Sequence, residues 1–145
     1  MKAVIQRVLN AVLSVDGKTV SKIEKGYVVF LGVAKGDGQE QIDYFVKKIP
    51  SLRICEDEEG KINKSILDTN GEILLVSQFT LCADTSHGNR PSFFEAEQPS
   101  VAEEIYEKVV EGVSKAGVPV MKGVFGADMK ITQTNDGPFT IILER

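Results

Sequence analysis

Four residues, Ser77-Gln78-Phe79-Thr80, follow the apolar run Ile73-Leu74-Leu75-Val76 without a break. A hydroxyl, an amide, an aromatic ring and a second hydroxyl at the end of a buried strand suit an acyl-transfer pocket. Hydrolysis of an ester builds negative charge on the carbonyl oxygen, and positioned amides and hydroxyls stabilise that charge. Gln78 can donate and accept, Ser77 or Thr80 can orient a substrate group, and a main-chain amide near Phe79 can face the oxyanion. The competing reading is structural, with polar side chains satisfying loose backbone groups at a strand end. A strand continuing to Leu81 would turn Ser77 and Phe79 to one face and Gln78 and Thr80 to the other.

A second polar island is Asn135-Asp136-Gly137-Pro138-Phe139-Thr140. Its Asp-Gly pair can be an ordinary turn. Alternatively, proline removes one amide donor and leaves carbonyls, which can hold the cationic amino group of an amino acid. The third island, His87-Gly88-Asn89-Arg90-Pro91-Ser92, offers Arg90 for a phosphate or for anchoring the loop. His87 is the sole histidine and reads as a solvent-facing loop residue rather than a general base. Cys82 lacks an evident activating partner. Phe125 and Met129 can offer apolar contact to a nucleobase, with core packing as the simpler reading. No compact metal-ligand pattern is present. The glycines of GVAKGDG lack the lysine-serine/threonine ending of a phosphate loop.

The positioning elements follow from periodicity. Residues 2–9 read as a strand, and Val12–Val15 and Thr19–Ile23 flank an Asp16-Gly17 hairpin turn. Tyr27–Val33 is an apolar run suited to a strand covered on both faces. Ile42, Phe45, Val46 and Ile49 mark one helical face, ended near Ile49 by Pro50. Glu72–Leu81 is a second buried strand. Ser100 and Glu103 suggest a capping box for a helix whose inner face is Ala102, Ile105, Tyr106, Val109 and Val113, with Gly117 as terminator. Val118–Met121, Met129–Thr134 and Phe139–Leu143 complete the strands. The expected fold is a sheet-dominated α/β domain over residues 1–145, with two main helices packed on it.

Composition narrows the function class. With 42% apolar and 26% charged residues, the chain is an ordinary globular protein rather than a disordered one. A net charge of -4 argues against a long basic groove for duplex DNA, while leaving room for local contact with one end of an RNA. Two cysteines are too few for a disulfide scaffold, and the N-terminal segment reads as a strand rather than a signal peptide or membrane span. Cytoplasm is the expected compartment.

Together the islands resemble the D-aminoacyl-tRNA deacylase family. The resemblance rests on Ser77-Gln78-Phe79-Thr80-Leu81 and Asn135-Asp136-Gly137-Pro138-Phe139-Thr140, in that order. Between them lie Gly88-Asn89-Arg90-Pro91-Ser92-Phe93 and Gly123-Val124-Phe125-Gly126-Ala127-Asp128-Met129, and Gln6-Arg7-Val8 with Ala11 precedes them. It covers essentially the whole chain and implies a compact α/β fold with curved β-sheets packed against helices. Phe139 and Cys82 depart from the family pattern, which commonly has a smaller branched residue and a tyrosine there.

The resemblance implies a homodimer that hydrolyses the ester of D-aminoacyl-tRNA at its terminal adenosine, without cofactor or metal. It also implies rejection of L-aminoacyl-tRNA and possible acceptance of glycyl-tRNA. Ser77, Gln78, Phe79 and Thr80 would form the catalytic set, with Phe79's main-chain amide at the oxyanion. Gly137, Pro138, Phe125 and Met129 would hold substrate, and Arg90 would contact RNA. A cis Gly137-Pro138 bond would present carbonyls to the partner subunit's pocket. The terminal 2′-hydroxyl, which RNA supplies and DNA lacks, would take part in the chemistry. Binding of the acceptor end without turnover is the alternative, as is a small-ester hydrolase that borrowed the fold.

Overall fold

The first strand, β1 (Lys2–Val15), is one long element where the sequence pattern suggests two. The computed structural model describes residues 1–145, and it explains the apparent interruption. Pairing shifts register between Gln6 and Val8 and again between Val8 and Asn10. Such irregularities bend a strand and re-aim its faces. Ala3 and Ile5 accordingly belong to the main core, whereas Val8, Ala11 and Leu13 belong to a second, smaller one.

The Asp16-Gly17 turn forms as expected, with φ of 49° and 74°, and leads into β2 (Lys18–Ile23). Strand β3 (Gly26–Gly32) then pairs with the first half of β1, while β2 pairs with its second half. Helix α1 (Gln39–Ser51) buries Ile42, Phe45 and Ile49, and Pro50 lies within its last turn rather than ending it at Ile49. A short hairpin, β4 (Cys55–Glu56) with β5 (Ile62–Lys64), precedes α2 (Ile66–Thr69). Ser65 caps α2 reciprocally with Asp68, a box the sequence reading missed.

Strand β6 (Glu72–Ser77) runs parallel to β3, and β7 (Val120–Lys122) runs parallel to β6. Between β6 and β7 lies α3 (Pro99–Lys115). Its start corrects the proposed Ser100–Glu103 box: Gln98 is the N-cap, without a side-chain bond, and Pro99 occupies the first turn. Proline's preset φ and missing donor suit that position and begin the helix before Ser100 can cap it. Gly117, with φ of 98°, follows the helix end as expected.

The last strand, β8 (Met129–Glu144), brings a larger correction. The segment from Asn135 to Pro138 is no hairpin turn. Residues on both sides of it pair antiparallel with β1, so the chain continues in one direction past a bulge. Between Gln6↔Thr140 and Val8↔Asn135, β8 carries the extra residues.

Both faces of the central strands are covered, as the apolar runs imply. Tyr27, Val29, Leu31, Ile73 and Leu75 meet α1 and α3 residues such as Phe45, Ile105 and Val109. On the other face, Val28, Leu74 and Val76 join Ala11, Leu13 and Ile23, where the curved sheet closes over itself. The result is an α/β fold with a curved sheet and three helices.

Candidate functional site

Parallel strands joined by helical crossovers leave a crevice at their carboxyl ends, where ligands commonly bind. Here that crevice is a cavity of about 490 Å³. Val33, just beyond β3, and Val76 and Ser77 of β6 form its floor, followed by Gln78 and Phe79. Pro99 and Ala102 of α3 form one wall, and Phe125, Met129 and Ile131 another.

The polar floor is not the extended strand expected from sequence. β6 stops at Ser77, and Phe79–Cys82 is a 3-10 turn entered through Gln78 at φ -145° and ψ 83°. The predicted alternation of Ser77 and Phe79 against Gln78 and Thr80 therefore does not hold. The Gln78 amide still reaches back to the Leu31 carbonyl at 2.8 Å, anchoring the turn to β3. Gly32 allows this close approach, since a Cβ there would stand 2.9 Å from the Gln78 carbonyl oxygen and 3.0 Å from Leu81 Cβ. Phe79 opens the turn, where amides have no intrahelical acceptor.

Five residues singled out from sequence meet in this cavity: Ser77, Gln78, Phe79, Phe125 and Met129. Thr80 does not line it. Its exposed hydroxyl instead accepts a hydrogen bond from Gln78 Nε2, which leaves the Gln78 carbonyl oxygen free of that contact. Cys82 is buried beneath the turn, and burial pushes its thiol up, away from the thiolate a nucleophile needs. His87 is exposed, with Nδ1 2.7 Å from Ser86 Oγ, and Arg90 is exposed on the same loop; neither lines the cavity. No three His, Cys, Asp or Glu side chains gather as a metal site. Sequence reasoning missed Glu97, a cavity-lining carboxylate that follows the third island.

Gly137 and Pro138 lie outside the cavity, exposed on the bulge of β8. Their peptide bond is cis, as expected, and Gly137 has φ of 124°. A Cβ at Gly137 would stand 3.0 Å from the Phe139 amide nitrogen. Beneath the bulge lies Arg7, only 4% exposed. Its Nε is 3.3 Å from the Asp136 carbonyl and 3.1 Å from Asp136 Oδ2. Nη1 donates to the Ile54 carbonyl at 2.9 Å and Nη2 to Glu56 at 3.2 Å, while the guanidinium sits 5.2 Å from the centre of the Phe139 ring. A buried guanidinium so fully paired fixes its neighbours strongly. The available signal was an arginine in phase with buried Ala3 and Ile5, a position needing carboxylates and carbonyls around it.

The family model described as D-Tyr-tRNA(Tyr) deacylase matches residues 4–144. The chain is 51% identical to a D-aminoacyl-tRNA deacylase of Thermosipho africanus, covering 99% of this chain and 97% of the relative. It is 54% identical to one from Aquifex aeolicus, again covering 99% and 97%. Among solved structures, the c-Myc DNA unwinding element binding protein superposes with a TM-score of 0.95 at 43% identity, over 100% of this chain and 99% of that one.

Proposed function

Given that the chain belongs to the D-Tyr-tRNA(Tyr) deacylase family and is a D-aminoacyl-tRNA deacylase, an ester hydrolase, we propose that it works as a chirally selective, two-chain site on the tRNA acceptor end. Water attacks the ester carbonyl carbon, the Phe79 amide stabilises the oxyanion, and collapse releases the amino acid as the terminal 3′-oxygen takes up a proton. Ser77 and Gln78 orient the ester and water, with Phe125 and Met129 against the terminal adenosine. The neighbouring 2′-hydroxyl assists proton movement, so Thr80 serves no nucleophilic role. Arg90 contributes local attraction to RNA phosphate.

In this reading the partner subunit's Gly137 and Pro138 present carbonyls to the cationic amino group. An L-side chain would meet that backbone and be rejected sterically, whereas glycyl-tRNA, having no side chain, would be accepted. The observation that carries the proposal is the separation of two features. Ser77, Gln78 and Phe79 line an apolar-walled cavity, while Gly137-Pro138 stands exposed elsewhere on a rigid bulge. Exposed Leu9 and Ile142, at 46% and 71%, supply apolar surface on β1 and β8 for a second copy. The protein would act in the cytoplasm. DNA binding, named for one structural neighbour, is not part of the proposal, because a net charge of -4 disfavours duplex phosphate.

A paired assay of D- and L-tyrosyl-tRNA, joined by glycyl-tRNA, tests this function at catalytic enzyme concentration. The expected result is rapid release from the D-ester and glycyl ester with little from the L-ester. Equal turnover of D- and L-esters would contradict chiral selection.

A further inference from the structure

Two large aromatic side chains stand partly open to solvent, Phe79 in the cavity lining and Phe93 against it. Phe79 is 54% exposed and Phe93 39%, yet their rings meet edge to face at 5.0 Å and 69°. That geometry is the favoured one for an aromatic pair and restricts both rings. The two residues belong to different parts of the chain. Phe79 starts the 3-10 turn, and Phe93 belongs to the segment leading into α3.

The Phe93 segment is itself fixed at both ends. Asp84 and Ser92 exchange backbone hydrogen bonds at 2.8 and 2.9 Å. Beyond Phe93, the Ala96 amide donates to the Phe93 carbonyl at 3.0 Å, Lys35 donates to Glu95 at 2.9 Å, and Glu97 donates to Val33 at 3.0 Å. Glu97 and Val33 both line the cavity, so the strap is tied into its wall. The 3-10 turn has less support of its own. It spans four residues, with hydrogen bonds weaker in geometry than those of an α-helix. Its backbone is anchored before Phe79 through Gln78, and Cys82 is buried at its far end.

We propose that Phe93 is a positioning residue for the reaction: its ring clamps Phe79 and thereby holds the Phe79 main-chain amide in register with the ester carbonyl. This rests on the proposed role of that amide. An oxyanion donor acts only when its orientation is set before charge develops, so small freedom in the turn lowers the chemical rate more than substrate binding. The strap thus couples the loop carrying Arg90 and Phe93 to the cavity floor through one aromatic contact.

Single-turnover and steady-state kinetics on D-tyrosyl-tRNA, for the full chain and its F93A, F93L, F93Y and Q78A variants, test the clamp, with thermal unfolding measured in parallel. F93A is expected to lower kcat about tenfold or more, with KM within about threefold. F93Y, which keeps the ring, should restore most of the rate. F93L, which keeps apolar volume without the ring's edge-to-face geometry, should remain impaired and serves if F93A fails to fold. Unchanged kcat in F93A or F93L while Q78A is slow would overturn the clamp and leave the cavity reading intact. Unchanged kcat in both Phe93 variants and Q78A would overturn the cavity reading and the clamp together. A loss that follows the drop in melting temperature, with F93Y no better than F93L, would reduce Phe93 to packing and also overturn the proposal.

Discussion

The cavity floor and the β8 bulge solve different problems with similar polar residues. Ser77, Gln78 and Phe79 sit at the end of a strand whose inner residues are entirely buried, and the turn rests on Gly32. Gly137 and Pro138 lie outside that cavity. They sit at the surface over a buried arginine that holds their backbone from beneath. One region is a solvent-open cavity lined by polar and apolar side chains, and the other is an exposed bulge outside that cavity. This difference is the physical ground for placing the complete site between two copies.

The largest effect expected from disturbing this contrast comes from R7A. It removes a buried cation from the Ile54 and Asp136 carbonyls and from the partly exposed Glu56 and Asp136 carboxylates, and should destabilise the fold by roughly 2–3 kcal/mol. Chemical denaturation checks it; a change under about 1 kcal/mol would mean the bulge is held by other contacts. Q78A should act on the opposite quantity. It is expected to lower kcat on D-tyrosyl-tRNA by about 10²-fold, as for misplacement of the reacting groups, with the unfolding midpoint nearly unchanged. An equal loss of stability would make Gln78 a structural residue.

A smaller effect is expected from G137A. Its φ of 124° and the Phe139 nitrogen 3.0 Å from the new Cβ oppose any side chain. Strain of about 1–3 kcal/mol should appear in denaturation, with a parallel fall in kcat/KM for the D-ester. Full kcat/KM would remove the bulge from substrate contact. The smallest change is expected from C82A, whose activity near neutral pH should stay within about twofold because the wild-type thiol is protonated and buried. Burial raises the folded thiol above its ordinary 9.0, so its stabilising contribution is complete below that value and is lost as pH rises through the folded value. Denaturation of wild type and C82A across this alkaline range should therefore converge. Strong inactivation of C82A with folding intact would make the thiol part of the chemistry.

Much of the fold was legible because burial imposes periodicity. The inner faces of α1 and α3, the doubly covered β3 and the Asp16-Gly17 hairpin all followed from apolar spacing and turn residues. What sequence obscured were places where local preference yields to pairing. Asp136-Gly137 looks like a turn, but the ladder to β1 resumes beyond it and carries the chain straight on. The stretch through Leu81 looks like a strand, but β3 ends at Gly32 and the backbone folds over that glycine instead. Among the candidate site residues, Ser77, Gln78, Phe79, Phe125 and Met129 gathered in one cavity, whereas Thr80, Arg90, Gly137 and Pro138 did not line it. Arg7 was named only within the family pattern, and its bracing role escaped attention because its partners, Ile54 and Glu56 on one side and Asp136 on the other, come from two distant segments that no local spacing connects.

The proposed two-chain site is tested most directly by complementation between two impaired variants. Q78A damages the cavity, and G137A damages the projection. Each is measured alone on D-tyrosyl-tRNA and then after unfolding and refolding as an equimolar mixture. If the cavity of one chain works with the Gly137-Pro138 bulge of the other, half the dimers are mixed and one of their two sites has both parts intact, so activity recovers to about a quarter of wild type. Activity no greater than the mean of the two separate variants would contradict the account and return both features to a single chain.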